Sequence, residues 1–151
     1  MPKMLSTHFS LDELIFSQTS ARLGIDNTPD AAVLANLKRL AAVLEQVRHL
    51  LGGTPIVVSS GYRSPNLNKA VGGAQNSAHL SGLAVDFTAP HFGSVMAMAK
   101  AIAKSDIAFD QLIFEYGRWV HMGLAPSTAT PKRQLLSIGS THNYVPGLKV
   151  V

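Results

Sequence analysis

The chain has 151 residues, 46% of them hydrophobic and 15% charged, with a net charge of +4 and no cysteine. That length and balance fit a single folded domain with one core and exclude a disordered or fibrous chain. Without cysteine, disulfides and thiolate metal sites are excluded, so any metal must be held by His, Asp or Glu. Met1 to His8 has no long apolar core, so no signal peptide is read there. No apolar run approaches the roughly 18 residues of a membrane span. The expectation is a protein made and retained in the cytoplasm, with no stable membrane insertion. Lys and Arg are scattered, so the positive charge reads either as a solvated surface or as attraction to a polyanion.

Ser10-Leu-Asp-Glu13 has capping-box spacing and predicts a short helix ending near Ser17–Ser20. Gly24 to Asn27 reads as a turn. Thr28 then caps a long helix with Pro29 at its first position. Val33, Leu37, Leu40, Leu44, Val47 and Leu51 form one apolar stripe over about 23 residues, and Gly52-Gly53 closes it. Pro55 to Ser60 is β-branched and predicts a buried strand, followed by a turn that leaves Arg63 just beyond its end. One or two helical turns are expected over Asn66–Val71, then a polar loop to Ser77.

Leu83 to Phe87 alternates on period two, so Asp86 faces away from Leu83, Val85 and Phe87. A carboxylate in a buried strand is costly unless a cation compensates it. His79 precedes it in a His79-x6-Asp86 pattern with Gly82 between, where a glycine turn lets both side chains reach one point. Zinc accepts imidazole and carboxylate at about 2.0–2.2 Å, although this spacing alone is also met in ordinary cores. A third helix is predicted from Ser94 to Lys104, with Val95, Met98 and Ile102 inward. Asp110–Tyr116 and Trp119–Leu124 read as a hairpin around Gly117-Arg118. Gln134–Ile138 is a further strand candidate, and Tyr144–Gly147 a surface finish. The fold class expected is α+β: a small, largely antiparallel sheet with helices packed on one side and a metal cleft on the other face.

These motifs (Ser59-Ser60-Gly61-Tyr62-Arg63-Ser64, Val71-Gly72-Gly73, Ser77-x-His79-x-x-Gly82-x-Ala84-x-Asp86 and Trp119-Val120-His121) resemble the zinc D-alanyl-D-alanine carboxypeptidase family. That family also includes phage and bacterial peptidoglycan endopeptidases. The resemblance implies one catalytic domain over residues 1–151. It also implies one Zn²⁺ held by His79, Asp86 and His121, with a fourth position open to water. Arg63 is similar to the family arginine that binds a substrate carboxylate, and Ser77 stands where it can bond substrate backbone. Family members often carry a Glu three residues before the last histidine; Arg118 stands there, and it cannot act as a base. Glu115 is the acid left nearby, as general base or as a surface residue. A strict two-residue turn at Gly117-Arg118 would turn Glu115 away from His121. An odd-length, bulged loop, for example Gly117-Arg118-Trp119, would turn it towards His121, and that irregular hairpin is the expectation.

The implied function is a zinc peptidase of peptidoglycan stem peptides or cross-links, monomeric, of the phage endolysin type and released from the host cytoplasm to reach the wall. A catalytically silent, zinc-containing wall-binding module is the alternative. Nucleic-acid binding is not expected, because no recognition-helix motif or aromatic interleaving accompanies the basic residues.

Overall fold

The computed structural model describes residues 3–151. Six strands form one sheet in the order β1 (Val57–Ser60), β2 (Ala84–Thr88), β4 (Trp119–Gly123), β3 (Gln111–Glu115), β5 (Gln134–Ile138), β6 (Tyr144–Pro146). All neighbours are antiparallel except β3 and β5, which run parallel. The sheet is therefore mixed but largely antiparallel, as expected.

Period-two alternation sorts the sheet into two faces. Val85, Phe87, Leu112, Val120 and Met122 are fully buried on one, against Leu37, Leu40 and Leu44 of α3 (Ala31–Leu50) and Met98 and Ile102 of α5 (Val95–Lys104). Asp86, His121 and Glu115 alternate with these residues and so lie on the other face.

The helix start differs from expectation. Asp30, not Thr28, caps α3 by accepting from the Val33 N–H, and the helix has 20 residues. Thr28 is occupied elsewhere, because both its N–H and its hydroxyl donate to Asp26 Oδ1. Pro29 consequently lies ahead of the helix. Between the Ser10-capped α1 (Leu11–Ile15) and that turn lies α2 (Gln18–Leu23), which the sequence reading missed; Ser17 caps it and left-handed Gly24 ends it. Strand β1 begins later than expected and is the sheet edge, with Val57 exposed rather than buried. The tail adds β5, and β6 replaces the expected surface finish.

The N-terminal elements hold the loop after β1. Asn27 is buried, and its Nδ2 donates to the Ile15 and Tyr62 carbonyls at 2.7 and 3.0 Å. Its Oδ1 accepts from the N–H of Ser64, the cap of α4 (Pro65–Ala70), at 2.7 Å, and the Tyr62 N–H donates to the Leu14 carbonyl. A side chain at Gly61 would run into that same carbonyl, so only glycine lets the loop lie this close.

Candidate metal centre

Three donors converge where β2, β4 and the 3₁₀ turn Ala78–Ser81 meet. His79 Nε2 lies 3.3 Å from Asp86 Oδ1, and His121 Nδ1 lies 2.8 Å from the same oxygen. Asp86 and His121 are directly paired across β2 and β4, so the sheet register alone sets their separation. The third ligand candidate depends on the turn. Ser77 caps it by accepting from the His79 N–H, and Gly82 ends it at φ +72°. A Cβ on Gly82 would sit 3.0 Å from Val33 Cγ1, so the chain reverses there against α3.

The loop at Gly61–Arg63 clasps His79 from both sides. His79 Nδ1 donates to the Gly61 carbonyl at 2.7 Å, while the Arg63 N–H donates to the His79 carbonyl at 3.0 Å. A carbonyl oxygen only accepts, so Nδ1 carries the proton and Nε2 of the neutral ring presents a lone pair. That lone pair faces a carboxylate oxygen at 3.3 Å. Burial holds the His79 pKa below the ordinary imidazole value, although Asp86 pulls it upward. A neutral imidazole and an anionic carboxylate meeting lone pair to lone pair need a cation between them. Locking one ring nitrogen on a carbonyl is how metal-binding histidines are oriented. Among the described residues, donors of His79, Asp86 and His121 all lie within 4.8 Å of one another and can hold a metal ion. With nitrogen and oxygen donors and no sulfur, the set suits zinc.

Burial pushes the Asp86 carboxyl up, but the hydrogen bond from His121 outweighs it and holds the group below the ordinary carboxylate range. For His121, burial lowers the imidazole while the Asp86 bond and the charges of Asp86 and Glu115 prevail and raise it.

Glu115 faces the same cleft. It pairs with Trp119, and Ile113 pairs with His121, so the hairpin loop is Tyr116-Gly117-Arg118. The loop is odd in length, as expected, but it lies one residue earlier than the expected Gly117-Arg118-Trp119. Tyr116 at φ 58° and Gly117 at φ 66° are both left-handed, which lets three residues close the turn. Trp119, inside β4, donates from Nε1 to Glu115 Oε1 at 2.7 Å. Burial raises the Glu115 pKa; His121 opposes this and Asp86 adds to it.

Arg63, Ser77, His79, Asp86, Glu115, Trp119 and His121 all line one cleft of about 890 Å³. Burial pulls the Arg63 pKa down against the attraction of Asp86 and Glu115. Its Nε is buried without a hydrogen-bond partner, and among the described residues no carboxylate lies within ion-pair distance of it. Every site residue expected from sequence thus lines this cleft. Ser77 does so with its oxygen already engaged by the His79 N–H. The Gly61 carbonyl, the Trp119 indole and the β6 residue Tyr144 complete the surroundings. Sequence reasoning gave these no role, since a backbone acceptor and a tail strand carry no local signal.

Two imidazoles and a carboxylate lie beside a half-buried acid and an arginine with no ion-pair partner, a set of side chains of the kind that metal-dependent hydrolases use. Residues 7–123 match the family model described as Peptidase M15, and the chain belongs to that family. Over 70 residues it is also 40% identical to a zinc D-Ala-D-Ala carboxypeptidase of Streptomyces albus G. That match takes in 46% of this chain and 26% of the relative, so about a quarter of the relative's length is spanned. Residues 124–151 lie beyond the family match, yet they supply Gln134, Leu136 and Tyr144 to the cleft wall.

Proposed function

We propose that this chain is a zinc peptidase that hydrolyses the peptide part of bacterial peptidoglycan. The observation that carries the reading is the His79 lone pair held against the Asp86 carboxylate, with His121 closing the third side. The similarity to a protein named as a zinc D-Ala-D-Ala carboxypeptidase supports both the metal and the substrate.

His79, Asp86 and His121 would hold the ion. Bound there, zinc lowers the pKa of water towards neutrality and polarises a peptide carbonyl. Glu115 is the general base. Its raised pKa suits a group that must both take a proton and return it near neutral pH. Trp119 fixes Oε1, leaving Oε2 to accept the proton from water and deliver it to the departing amine. Arg63 binds a substrate carboxylate through its planar fork, an anion that its desolvated and unpaired guanidinium otherwise lacks. Ser77 can still donate its hydroxyl proton to substrate backbone. A half-buried acid beside the donors favours an enzyme over a silent wall-binding module. The physiological setting we read is lysis of a thin Gram-negative wall in the manner of a phage endolysin. The net charge of +4 supports this by drawing the protein to an anionic surface.

Purified sacculi provide the test. Zinc-loaded protein should release new amino groups, chelation should abolish the release and added zinc restore it. Glu115→Gln should keep its metal and lose about 10²–10⁴-fold in rate. Undiminished hydrolysis after complete metal removal would overturn the zinc reading, and a wild-type rate in Glu115→Gln would remove the base.

A further inference from the structure

Asn68, on α4, is polar yet only 4% exposed. Its Nδ2 donates to the Ala74 carbonyl at 2.9 Å, and its own backbone carbonyl accepts from the Gly73 N–H at 2.9 Å. A carbonyl oxygen only accepts, so the side-chain amide is held one way round, with Oδ1 turned away from Ala74. That oxygen is buried with no hydrogen-bond partner among the described residues. A buried acceptor left bare costs about 1–3 kcal/mol. Gly73 shows what stands beside it. A Cβ on Gly73 would overlap Asn68 Oδ1 and lie 3.2 Å from Arg63 Nη1. The amide and the guanidinium are therefore neighbours, with only a bare glycine at their side.

Arg63 has the complementary lack. Its Nε–H is a donor, and it too is buried without a partner. The guanidinium carries five N–H donors in one plane, and a carboxylate takes two parallel ones. One of the other three can go to Asn68. A neutral acceptor would fix the plane of the group and leave its charge intact, whereas a carboxylate in the same place would cancel that charge. Arg63 and Gly73 line the cleft, and Asn68 does not. Asn68 can thus act on a ligand only through the arginine.

We propose that Asn68 is a positioning residue for Arg63: its Oδ1 accepts a guanidinium N–H as a substrate carboxylate binds, and so aims the fork at that carboxylate. The proposal rests on the reading of Arg63 as the carboxylate-binding residue and supplies what orients it. Gly73 is part of the device, because any side chain there would push the amide out of place.

The test compares two peptides ending in D-Ala-D-Ala with zinc-loaded protein, one with its free terminal carboxylate and one with a terminal carboxamide. Wild type should favour the carboxylate by about tenfold or more in kcat/KM, the worth of a hydrogen-bonded charge. Asn68→Asp sets a competing carboxylate against Arg63. It should bring the ratio close to one by raising KM for the free-carboxylate peptide, with kcat on the carboxamide changed less than about twofold. Gly73→Ala should lower the ratio about fivefold. In an Arg63→Ala background, Asn68→Asp should leave the ratio unmoved, which a merely structural role would not require. Zinc content and melting temperature serve as folding controls. A readout with Asn68 and Gly73 intact uses ¹⁵N-labelled Glu115→Gln protein. There the Asn68 side-chain amide signals should shift on adding the carboxylate peptide and stay put with the carboxamide. No preference in wild type, a ratio unmoved in whichever single variant folds, or an amide blind to the carboxylate would overturn the role of Asn68 and leave the peptidase reading standing. A wild type that cuts neither peptide would overturn the peptidase reading instead, and the amide shift then decides the role of Asn68.

Discussion

Asp86 Oδ1 is shared by two imidazoles, and the two respond in opposite directions. Burial dominates His79 and keeps it neutral, whereas the hydrogen bond and charge of Asp86 dominate His121 and favour its protonated form. In the metal-free protein the His121–Asp86 pair therefore adds stability that is fully present below the unfolded imidazole pKa, about 6.5. It is lost as pH rises through the higher folded value. The depressed Asp86 contributes stability above about pH 3.9 that disappears as pH falls through its folded pKa. Metal binding has the opposite slope, because a ligand nitrogen must give up its proton. Zinc affinity should weaken as pH falls, beginning above the ordinary imidazole value. Calorimetry in buffers of different ionisation enthalpy should find about one proton released per ion near pH 6 and less at pH 8. Proton release independent of pH would contradict this assignment of the shared oxygen. Alternation made the face of Asp86 legible in the sequence, the glycine turn suggested His79 as its partner, and the family resemblance added His121. The tautomer of His79 was not, since it depends on a carbonyl 18 residues away.

At the scale of elements, the turn and the hairpin set the geometry, and they differ in how far sequence discloses them. Gly82 announced a reversal, and the structure adds that α3 crowds it. Gly24 offers a control, being left-handed at φ +66° with open space around it. Gly24→Ala should cost about 1–2 kcal/mol, the left-handed backbone alone. Gly82→Ala should cost more and weaken zinc binding, read from chemical denaturation and metal titration; equal costs would contradict the crowding. The parity of the hairpin was a conditional expectation, because Glu115 reaches the cleft only across an odd loop. Tyr116 in a left-handed conformation makes that loop, and a bulky side chain gives little warning of it. The start of α3 was misread because Thr28-Pro29 is a valid cap until Asp26 takes the threonine. Asp30→Ala should therefore destabilise the protein by about 1 kcal/mol, and Thr28→Ala by less.

Across the whole molecule, segments far apart in sequence hold one loop over one sheet. Asn27 links the end of α1 to the Tyr62–Ser64 backbone, and that loop in turn grips His79. Sequence suggested the α+β class and most of its helices and strands, though not α2 or β6. It did not disclose this linkage, or the parallel seat of β5 beside β3, because neither has a local signature. No described helix is long and apolar enough to cross a membrane. With its ligands drawn from β2, β4 and the turn before β2, a bound ion should stiffen the whole assembly. Zinc at about a hundred times its dissociation constant adds about 2.7 kcal/mol. For a chain of this size that corresponds to a rise of about 5–10 °C in melting temperature, reversed by chelator. An unchanged melting temperature would place the metal outside the fold.

Metal stoichiometry bears most directly on the centre itself. Wild-type protein refolded in excess zinc and then desalted should retain about one ion per chain. His79→Ala, Asp86→Ala and His121→Ala, each folded by circular dichroism, should retain almost none. A full complement of zinc in all three variants, or none in the wild type, would contradict the site.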